Sequence, residues 1–245
     1  MEENILRKPH KVNRKACLAV LLVSGMIGLA GFYLLGRTYL GGRNRMVINF
    51  LRNPKQYPEY EVEALTRCGD APFLMPSKGF IGYLWDDSFK LFNRHQGIDI
   101  FGGTAAGKTP IYAPYDGFLT REEGWRSSLI IRVPDDPLNP GSQIWLYLTH
   151  MADADGNSFI DAAFPAGTYE KRVAAGELLG FQGDYSGNPA KPVGVHLHFS
   201  IVRDNGTGHY LNELELNNTL DPTPYFGFEL NAKKSGKSEV PKCRP

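Results

Sequence analysis

The sequence predicts a mainly β domain that follows a single N-terminal transmembrane helix. The chain has 27 glycines and 17 prolines among its 245 residues, and 12% of the residues are aromatic. This composition favours short strands joined by many turns over packed helices. An uncharged apolar segment, residues 16–36, predicts the helix, and an alternating segment, residues 194–201, predicts a half-buried strand.

The length and charge of the chain limit what it can be. At roughly 100 to 200 residues per domain, the chain has room for one globular domain with appendages. The formal net charge is +1, and no stretch concentrates lysine and arginine densely. Binding to a phosphate backbone requires such a concentration, so we expect no nucleic-acid partner.

Residues 16–36 carry no charged side chain and form the predicted membrane anchor. At ~1.5 Å per residue, a helix of this length crosses a hydrocarbon core of ~30 Å. A cleaved signal peptide is the competing interpretation, but the apolar run is long for one and no clear Ala-x-Ala site follows it. Basic residues flank the segment on both sides, so their distribution alone does not orient it.

Two segments flank the predicted soluble domain, which spans residues 72–228. Residues 37–71 are charged and interrupted by prolines, which predicts a juxtamembrane stalk with one short helix around residues 47–51. Residues 229–245 are polar and typical of a mobile tail.

The three cysteines lie outside the predicted domain. Cys17 opens the apolar segment without the Leu-Ala-Gly-Cys type of context that lipoprotein processing requires. Cys68 and Cys243 lie just beyond the two ends of the domain and could form a disulfide, which needs an oxidising compartment. Two unpaired thiols are the alternative.

Two histidines, His196 and His198, stand two residues apart in the alternating segment. On an extended strand, residues i and i+2 lie on the same face, so both imidazoles can reach one metal ion. The apolar residues between and beyond them lie on the opposite face. Histidines that only fill hydrogen-bonding positions are the alternative.

His95 and Asp99 stand four residues apart, which places them on one side of either a helix or a strand. Gly97, the β-branched isoleucines beside Asp99 and the two glycines that follow favour a strand. Imidazole and carboxylate are both zinc ligands, although a surface hydrogen-bonded pair has the same spacing.

His150 ends a predicted strand and lies in phase with the apolar residues Leu146 and Leu148. Considered alone, that phase indicates a histidine in the core or at its rim.

Residues 102–109 match the phosphate-loop pattern G-x-x-x-x-G-K-[ST] at every specified position. Such a loop binds phosphates where a helix begins at its Lys-Thr end. Here the sequence Pro110-Ile111-Tyr112 follows, which favours a strand, and the later chain lacks alternating strands and helices. We therefore expect no nucleotide partner.

Residues 153–161 resemble the first part of a calcium-binding EF-hand loop. Ser158 occupies the position of the sharp-turn glycine, and Phe164 occupies that of the bidentate glutamate. A polar, turn-rich insertion is the preferred interpretation.

Taken in order, these motifs resemble the M23 family of zinc metalloendopeptidases, which includes lysostaphin and LytM-type enzymes. The resemblance covers about residues 93–226 and implies an antiparallel β-sheet groove of the LytM/lysostaphin type. The matching motifs are His95-x-x-x-Asp99, Pro110-Ile111-Tyr112-Ala113 with Asp116-Gly117, Tyr147-Leu148-Thr149-His150, Gly176 with Gly180, His196-Leu197-His198-Phe199, and Asp221-Pro222.

The resemblance implies one Zn²⁺ per domain, bound by His95, Asp99 and His198, while His150 and His196 act on substrate and water. It also implies that the substrate is a peptide bond of peptidoglycan, in a stem or a cross-bridge. Three protein ligands leave a fourth position for water. Because no H-E-x-x-H glutamate is present, a histidine is the candidate base.

A wall-cleaving domain belongs outside the cytoplasmic membrane, so the resemblance implies a single-pass protein with residues 1–15 in the cytoplasm. Some family members have lost zinc ligands and regulate other wall hydrolases. A non-catalytic LytM-type regulator with a protein partner is therefore the alternative, although all five expected residues are present here.

The sequence departs from the family pattern at two places. Thr149 replaces the small residue that more usually precedes the middle histidine, and residues 152–170 are longer and more polar than a short family loop. Neither departure removes a ligand. We expect the long segment to border the substrate groove and to affect substrate preference.

Overall fold

The computed structural model describes residues 14–39, 42–87, 94–228 and 239–241. The chain divides into two compact units, one ending at Leu40 and the other beginning at Gly41. The first unit contains the helix α1, Arg14–Tyr39. Its segment Cys17–Leu34 has a mean hydropathy of 2.2 and is long and apolar enough to cross a membrane. The predicted apolar helix is therefore present.

The second unit combines one helix with eleven strands among its described residues. Its helix α2 is Gly42–Arg52. The strands are β1 Glu61–Val62, β2 Gly79–Tyr83, β3 Ile98–Phe101, β4 Pro110–Tyr112, β5 Gly117–Arg121, β6 Leu129–Val133, β7 Ile144–Thr149, β8 Thr168–Val173, β9 Leu178–Phe181, β10 Leu197–Arg203 and β11 Thr219–Leu220. Short 3-10 helices are Pro54–Gln56, Pro58–Tyr60, Leu216–Asn218 and Thr223–Phe226.

One large antiparallel sheet dominates this unit. Its strand order is β1-β2-β3-β10-β7-β6-β5-β8, with β11 paired to β10, while β4 and β9 form a separate two-stranded sheet. The predicted mainly antiparallel β fold is confirmed. Strands β3, β10 and β7 lie side by side, although they come from distant parts of the sequence.

The two faces of these central strands differ, since one packs in the apolar core and the other carries polar side chains. Leu148 and Phe199 pair across β7 and β10 and are fully buried in the core. The neighbouring register positions face the other way, and there His198 pairs with Asp99 on β3 and with Thr149 on β7. Because side chains alternate along a strand, this row collects polar residues on the face opposite the core.

The segment predicted as a stalk, 37–71, packs against the sheet from Gly42 onward. Val47 and Phe50 are buried, and the Phe50 ring lies 5.5 Å from that of Phe80, between centroids. Strand β1 also pairs with β2. The compact unit therefore begins well before the boundary expected at residue 72, because apolar residues three apart form a buried helical face.

The loop that matches the phosphate-binding pattern contains no helix. Residues 102–109 form turns with positive φ at Gly103 and Gly107, and β4 follows directly. The Thr104 and Thr109 hydroxyl oxygens lie 2.7 Å apart and close the loop on itself. The strand expected after the motif is confirmed, so the motif lacks the helix N-terminus that phosphate binding requires.

Cys68 is disulfide-bonded, whereas Cys17 is a free, exposed thiol. Cys243 lies outside the described residues, as does most of the predicted tail, so the pairing of Cys68 with Cys243 stays a prediction.

Candidate metal centre and its cleft

Three predicted ligand atoms converge at one point. The Nε2 atom of His95 lies 3.0 Å from Asp99 Oδ1 and 3.0 Å from His198 Nδ1, and the last two atoms lie 2.8 Å apart. For zinc bonds of about 2.0–2.1 Å in a tetrahedron, neighbouring ligand atoms lie roughly 3.3 Å apart. The spacing and the His₂Asp donor set therefore fit a zinc ion.

The turn formed by residues 84–87 holds His95 in place through two hydrogen bonds. The His95 Nδ1–H donates to the Leu84 carbonyl at 3.0 Å, and its backbone N–H donates to the Asp87 carbonyl at 2.9 Å. A carbonyl oxygen only accepts, so the proton of a neutral His95 resides on Nδ1 and the Nε2 lone pair faces the centre. This is the tautomer that a metal ligand needs.

Asp99 supplies a buried negative charge. Burial alone would raise the pKa of its carboxyl group, but the nearby imidazoles of His95, His196 and His198 hold that pKa well below its usual range. The carboxylate is 6% exposed, so it needs a positive charge close by. Burial lowers the pKa of His198, which favours its neutral, metal-binding form.

His196 lies beside this triangle without joining it. Its Nε2 atom is 3.6 Å from Asp99 Oδ1, and its Nδ1–H donates to the Gly194 carbonyl at 2.5 Å. The imidazole stacks on Phe101, with ring centroids 4.9 Å apart. The hydrogen bond to Gly194 leaves the Nε2 lone pair directed toward the centre.

His150 approaches from the end of β7. Its ring centroid lies 4.5 Å from that of His196 and 6.2 Å from that of His198. Its Nδ1–H donates to the Tyr185 carbonyl at 2.7 Å, which again leaves Nε2 unprotonated. Burial, with His196 and His198 nearby, lowers the pKa of His150 to about 3, so this imidazole is neutral at physiological pH.

The backbone explains why His150 is not a core residue. Strand phase alone would place it with Leu146 and Leu148 in the core, but its φ is +69°, in the left-handed region. Residues other than glycine adopt this conformation at a cost of roughly 1–3 kcal/mol. A backbone turn at His150 instead directs the partly buried side chain toward His196, so it lies at the edge of the core and not among Leu146 and Leu148.

All five predicted residues line one cleft of about 690 Å³. On the β7 side, the cleft is lined by hydroxyl groups, in which Ser128 Oγ lies 2.7 Å from Thr149 Oγ1 and accepts from Tyr147 at 3.0 Å. On the β3 side, it is lined by Phe101 and by one face of α2. The cleft thus has a polar side and an apolar side.

The sequence did not predict part of this cleft lining, and it predicted another part for the wrong segment. Helix α2 was assigned to a stalk, and the hydrogen-bonded hydroxyl groups are dispersed in the sequence. Residues 152–170 were expected to border the cleft, but residues 185–187 and 193–194 do so instead. Residues 153–157 instead fold into a turn, in which Asp153 Oδ1 accepts from the backbone N–H groups of Asp155 and Asn157.

No family model matches the chain, and no curated protein matches it. Solved structures do match. The structural neighbours are M23 peptidase domains.

Three of these neighbours are bacterial proteins. The catalytic domain of the prophage-encoded M23 protein EnpA from Enterococcus faecalis is 20% identical, with a TM-score of 0.36 over 61% of this chain and 95% of that one. The antimicrobial peptidase lysostaphin from Staphylococcus simulans is 16% identical, with a TM-score of 0.37 over 70% of this chain and 63% of that one. A Ruminococcus gnavus structure described as lytM is 20% identical, with a TM-score of 0.37 over 75% of this chain and 70% of that one.

Proposed function

We propose that this chain is a membrane-anchored zinc metalloendopeptidase that hydrolyses peptide bonds of peptidoglycan. The observation that carries this proposal is the convergence of His95, Asp99 and His198 beside two further imidazoles. The three ligand atoms lie 2.8–3.0 Å apart. His150 and His196 each engage Nδ1 with a carbonyl oxygen and keep Nε2 available.

The five side chains divide into two groups by this geometry. His95, Asp99 and His198 would hold Zn²⁺, which supplies Lewis acidity and lowers the pKa of bound water to ~7. His196 and His150 lie outside the triangle, and each presents an unprotonated nitrogen that can accept a proton. Their Nδ1 hydrogen bonds fix both rings, so a proton taken from water can be passed on to the leaving amine.

The hydroxyl side of the cleft suits a peptide backbone. Ser128, just before β6, forms a hydrogen-bonded group with Tyr147 and Thr149 of β7, next to the row that holds His198. Hydroxyl groups both donate and accept, so they can pair with the N–H and C=O groups of an extended peptide. The sequence resemblance to the M23 family supplies the more specific substrate class, peptidoglycan.

The membrane placement is part of the same proposal. Helix α1 has the length and composition of a span, and a domain that cleaves the cell wall belongs outside the cytoplasmic membrane. We infer a single-pass anchor with the catalytic domain extracytoplasmic, in agreement with the disulfide at Cys68.

Digestion of purified peptidoglycan tests the activity. The full-length protein in detergent micelles is incubated with the wall material and zinc, and new amino termini are counted. We expect release that stops with a chelator and returns with zinc, and no release by Asp99→Asn. Asp70→Asn, which changes an exposed carboxylate outside the cleft, is the matched control. Stoichiometric zinc without any new amino terminus would instead support the non-catalytic regulator.

A further inference from the structure

Helix α2 presents two different faces to its surroundings. Arg43, Val47 and Phe50 are buried against the sheet. Ile48 and Leu51 remain 40% and 39% exposed, yet both line the cleft that contains the metal ligands. Residues three apart on a helix are neighbours, so these two side chains form one continuous apolar surface.

This surface is fixed in place. Arg43 donates to the Gly82 carbonyl at 3.3 Å, and its Nε lies 3.4 Å from Asp87 Oδ2. The Tyr83 hydroxyl donates to Asn44 Oδ1 at 2.7 Å. Together with the Phe50 contact to Phe80, these bonds attach α2 along its length to β2 and the turn that follows it. Helix α2 is therefore a wall of the cleft and not a mobile lid.

The wall reaches the catalytic histidines. A Cβ atom placed on Gly194 would lie 3.5 Å from Leu51 Cδ1 and 3.8 Å from Phe101 Cε1. Gly194 accepts the hydrogen bond from His196, and Phe101 stacks on the same ring. A substrate residue that lies over His196 therefore meets apolar carbon on the α2 side and hydroxyl groups on the opposite, β7 side.

We propose that Ile48, Leu51 and Phe101 form a substrate subsite that takes an apolar side chain next to the scissile peptide bond. The proposal rests on the proposed peptidase function and specifies its substrate. Water against the two exposed aliphatic side chains is displaced favourably by an aliphatic group, whereas glycine offers nothing to bury. The buried ring of Phe101 forms the base of this surface. The hydroxyl side of the cleft holds the peptide backbone in the orientation that directs this side chain toward α2.

Cleavage of matched peptides by the full-length protein in micelles measures the preference. The probes are blocked pentaglycine and a set in which leucine replaces one glycine at each position in turn. We expect kcat/KM to be highest for leucine at one position next to the cleaved bond. The double variant Ile48→Ala and Leu51→Ala should lower the ratio of kcat/KM for the leucine peptide to kcat/KM for pentaglycine by about tenfold, the size expected for an apolar pocket.

Arg45→Ala is the matched control, because Arg45 is exposed on the same helix and does not line the cleft. It should leave the ratio unchanged. A wild-type protein without a leucine preference at any position would overturn the subsite, and so would equal losses on the leucine and glycine peptides in the double variant.

Binding separates failure of the subsite from failure of the peptidase function. If the wild type cleaves no peptide, the proposed activity fails, and the dissociation constants of the same peptides test the subsite alone. Weaker binding of a leucine peptide by about tenfold in the double variant would retain the subsite. Unchanged dissociation constants would overturn it.

Discussion

Strand β10 and helix α2 both line the cleft, but they reach it by different routes. His198 on β10 and His196 just before this strand both face the site, as expected for residues two apart in an extended segment, and the sequence shows this directly as His-x-His. Helix α2 reaches the site through packing on β2, a strand that begins 27 residues after α2 ends, since Arg52 and Gly79 bound the gap. Local patterns thus indicate the candidate site residues, whereas the shape of the cleft depends on long-range contacts.

The largest effect on the strand side of this comparison should come from His150→Asn. Asparagine tolerates positive φ and can still donate to the Tyr185 carbonyl, so the backbone turn after β7 should persist. Loss of a proton-transfer group should lower kcat by about 10²–10⁴-fold. Zinc content should stay at one ion per chain, because His150 lies outside the ligand triangle.

Peptide hydrolysis and metal analysis of the same preparation check this prediction. His209→Asn, which changes an exposed histidine, serves as the control and should behave as the wild type. Loss of zinc in His150→Asn would show that His150 is a metal ligand and not a proton-transfer group.

The helix side of the comparison predicts a smaller effect on the metal itself. Arg43 supports Asp87, whose carboxylate accepts from the Leu84 N–H at 2.8 Å and whose carbonyl accepts from the His95 N–H. Arg43→Met should loosen this turn and weaken zinc binding by roughly 10–100-fold, as for other residues that orient metal ligands. Arg43→Lys keeps a charge beside Asp87 and should retain most of the affinity.

Competition with a zinc chelator and the absorption spectrum of the Co²⁺-substituted protein measure this positioning role. A role in folding alone would lower the melting temperature of Arg43→Met and leave both metal readouts at their wild-type values. That outcome would show that α2 forms the wall of the cleft without positioning the metal site.

Acidification should produce a still smaller, graded effect. The pKa of His150 is lowered to about 3 in the folded chain. An unfolded histidine has a pKa of about 6.5, so between these values the unfolded chain binds more protons. The contribution of His150 to the free energy of unfolding is fully present above pH ~6.5. It is lost as the pH falls toward ~3, by at most ~1.4 kcal/mol per pH unit.

Urea unfolding of the metal-free protein at several pH values between about 7 and 4, where histidine titrates, measures whether the free energy of unfolding falls with pH as expected. His150→Asn should have a shallower loss of stability than the wild type over that range. Parallel curves for the two proteins would contradict the assignment of a neutral, buried imidazole to His150.

The smallest expected effect is that of Lys108→Ala. Lys108 is exposed in a loop without a helix N-terminus, so peptide hydrolysis and stability should remain near their wild-type values. Equilibrium binding of ATP is the complementary measurement. Saturable binding that disappears in the variant would restore the nucleotide interpretation of residues 102–109.

The same contrast explains what could be predicted from sequence. The antiparallel fold could be predicted, because alternating apolar residues mark the strands. The short spacings His95-x-x-x-Asp99 and His196-x-His198 identified candidate site residues, and their division into metal ligands and catalysts, which the family resemblance implied, stays a prediction. The orientation of His150 could not be derived from strand phase, since it depends on one backbone angle after Thr149. The role of α2 was hidden because its charged residues are typical of a solvated stalk, and Arg43 is buried only through its distant partner Asp87.

Zinc content in a matched pair of variants tests the central claim most directly. His198 on β10 and His196 just before it stand two residues apart, yet only His198 belongs to the triangle of predicted ligands. After dialysis against buffer of low zinc concentration, His196→Ala should keep about one ion per chain, as wild type, and His198→Ala should lose most of it, as expected for a site of three protein ligands. Equal loss of zinc from both variants would contradict the division of the two histidines into catalyst and ligand.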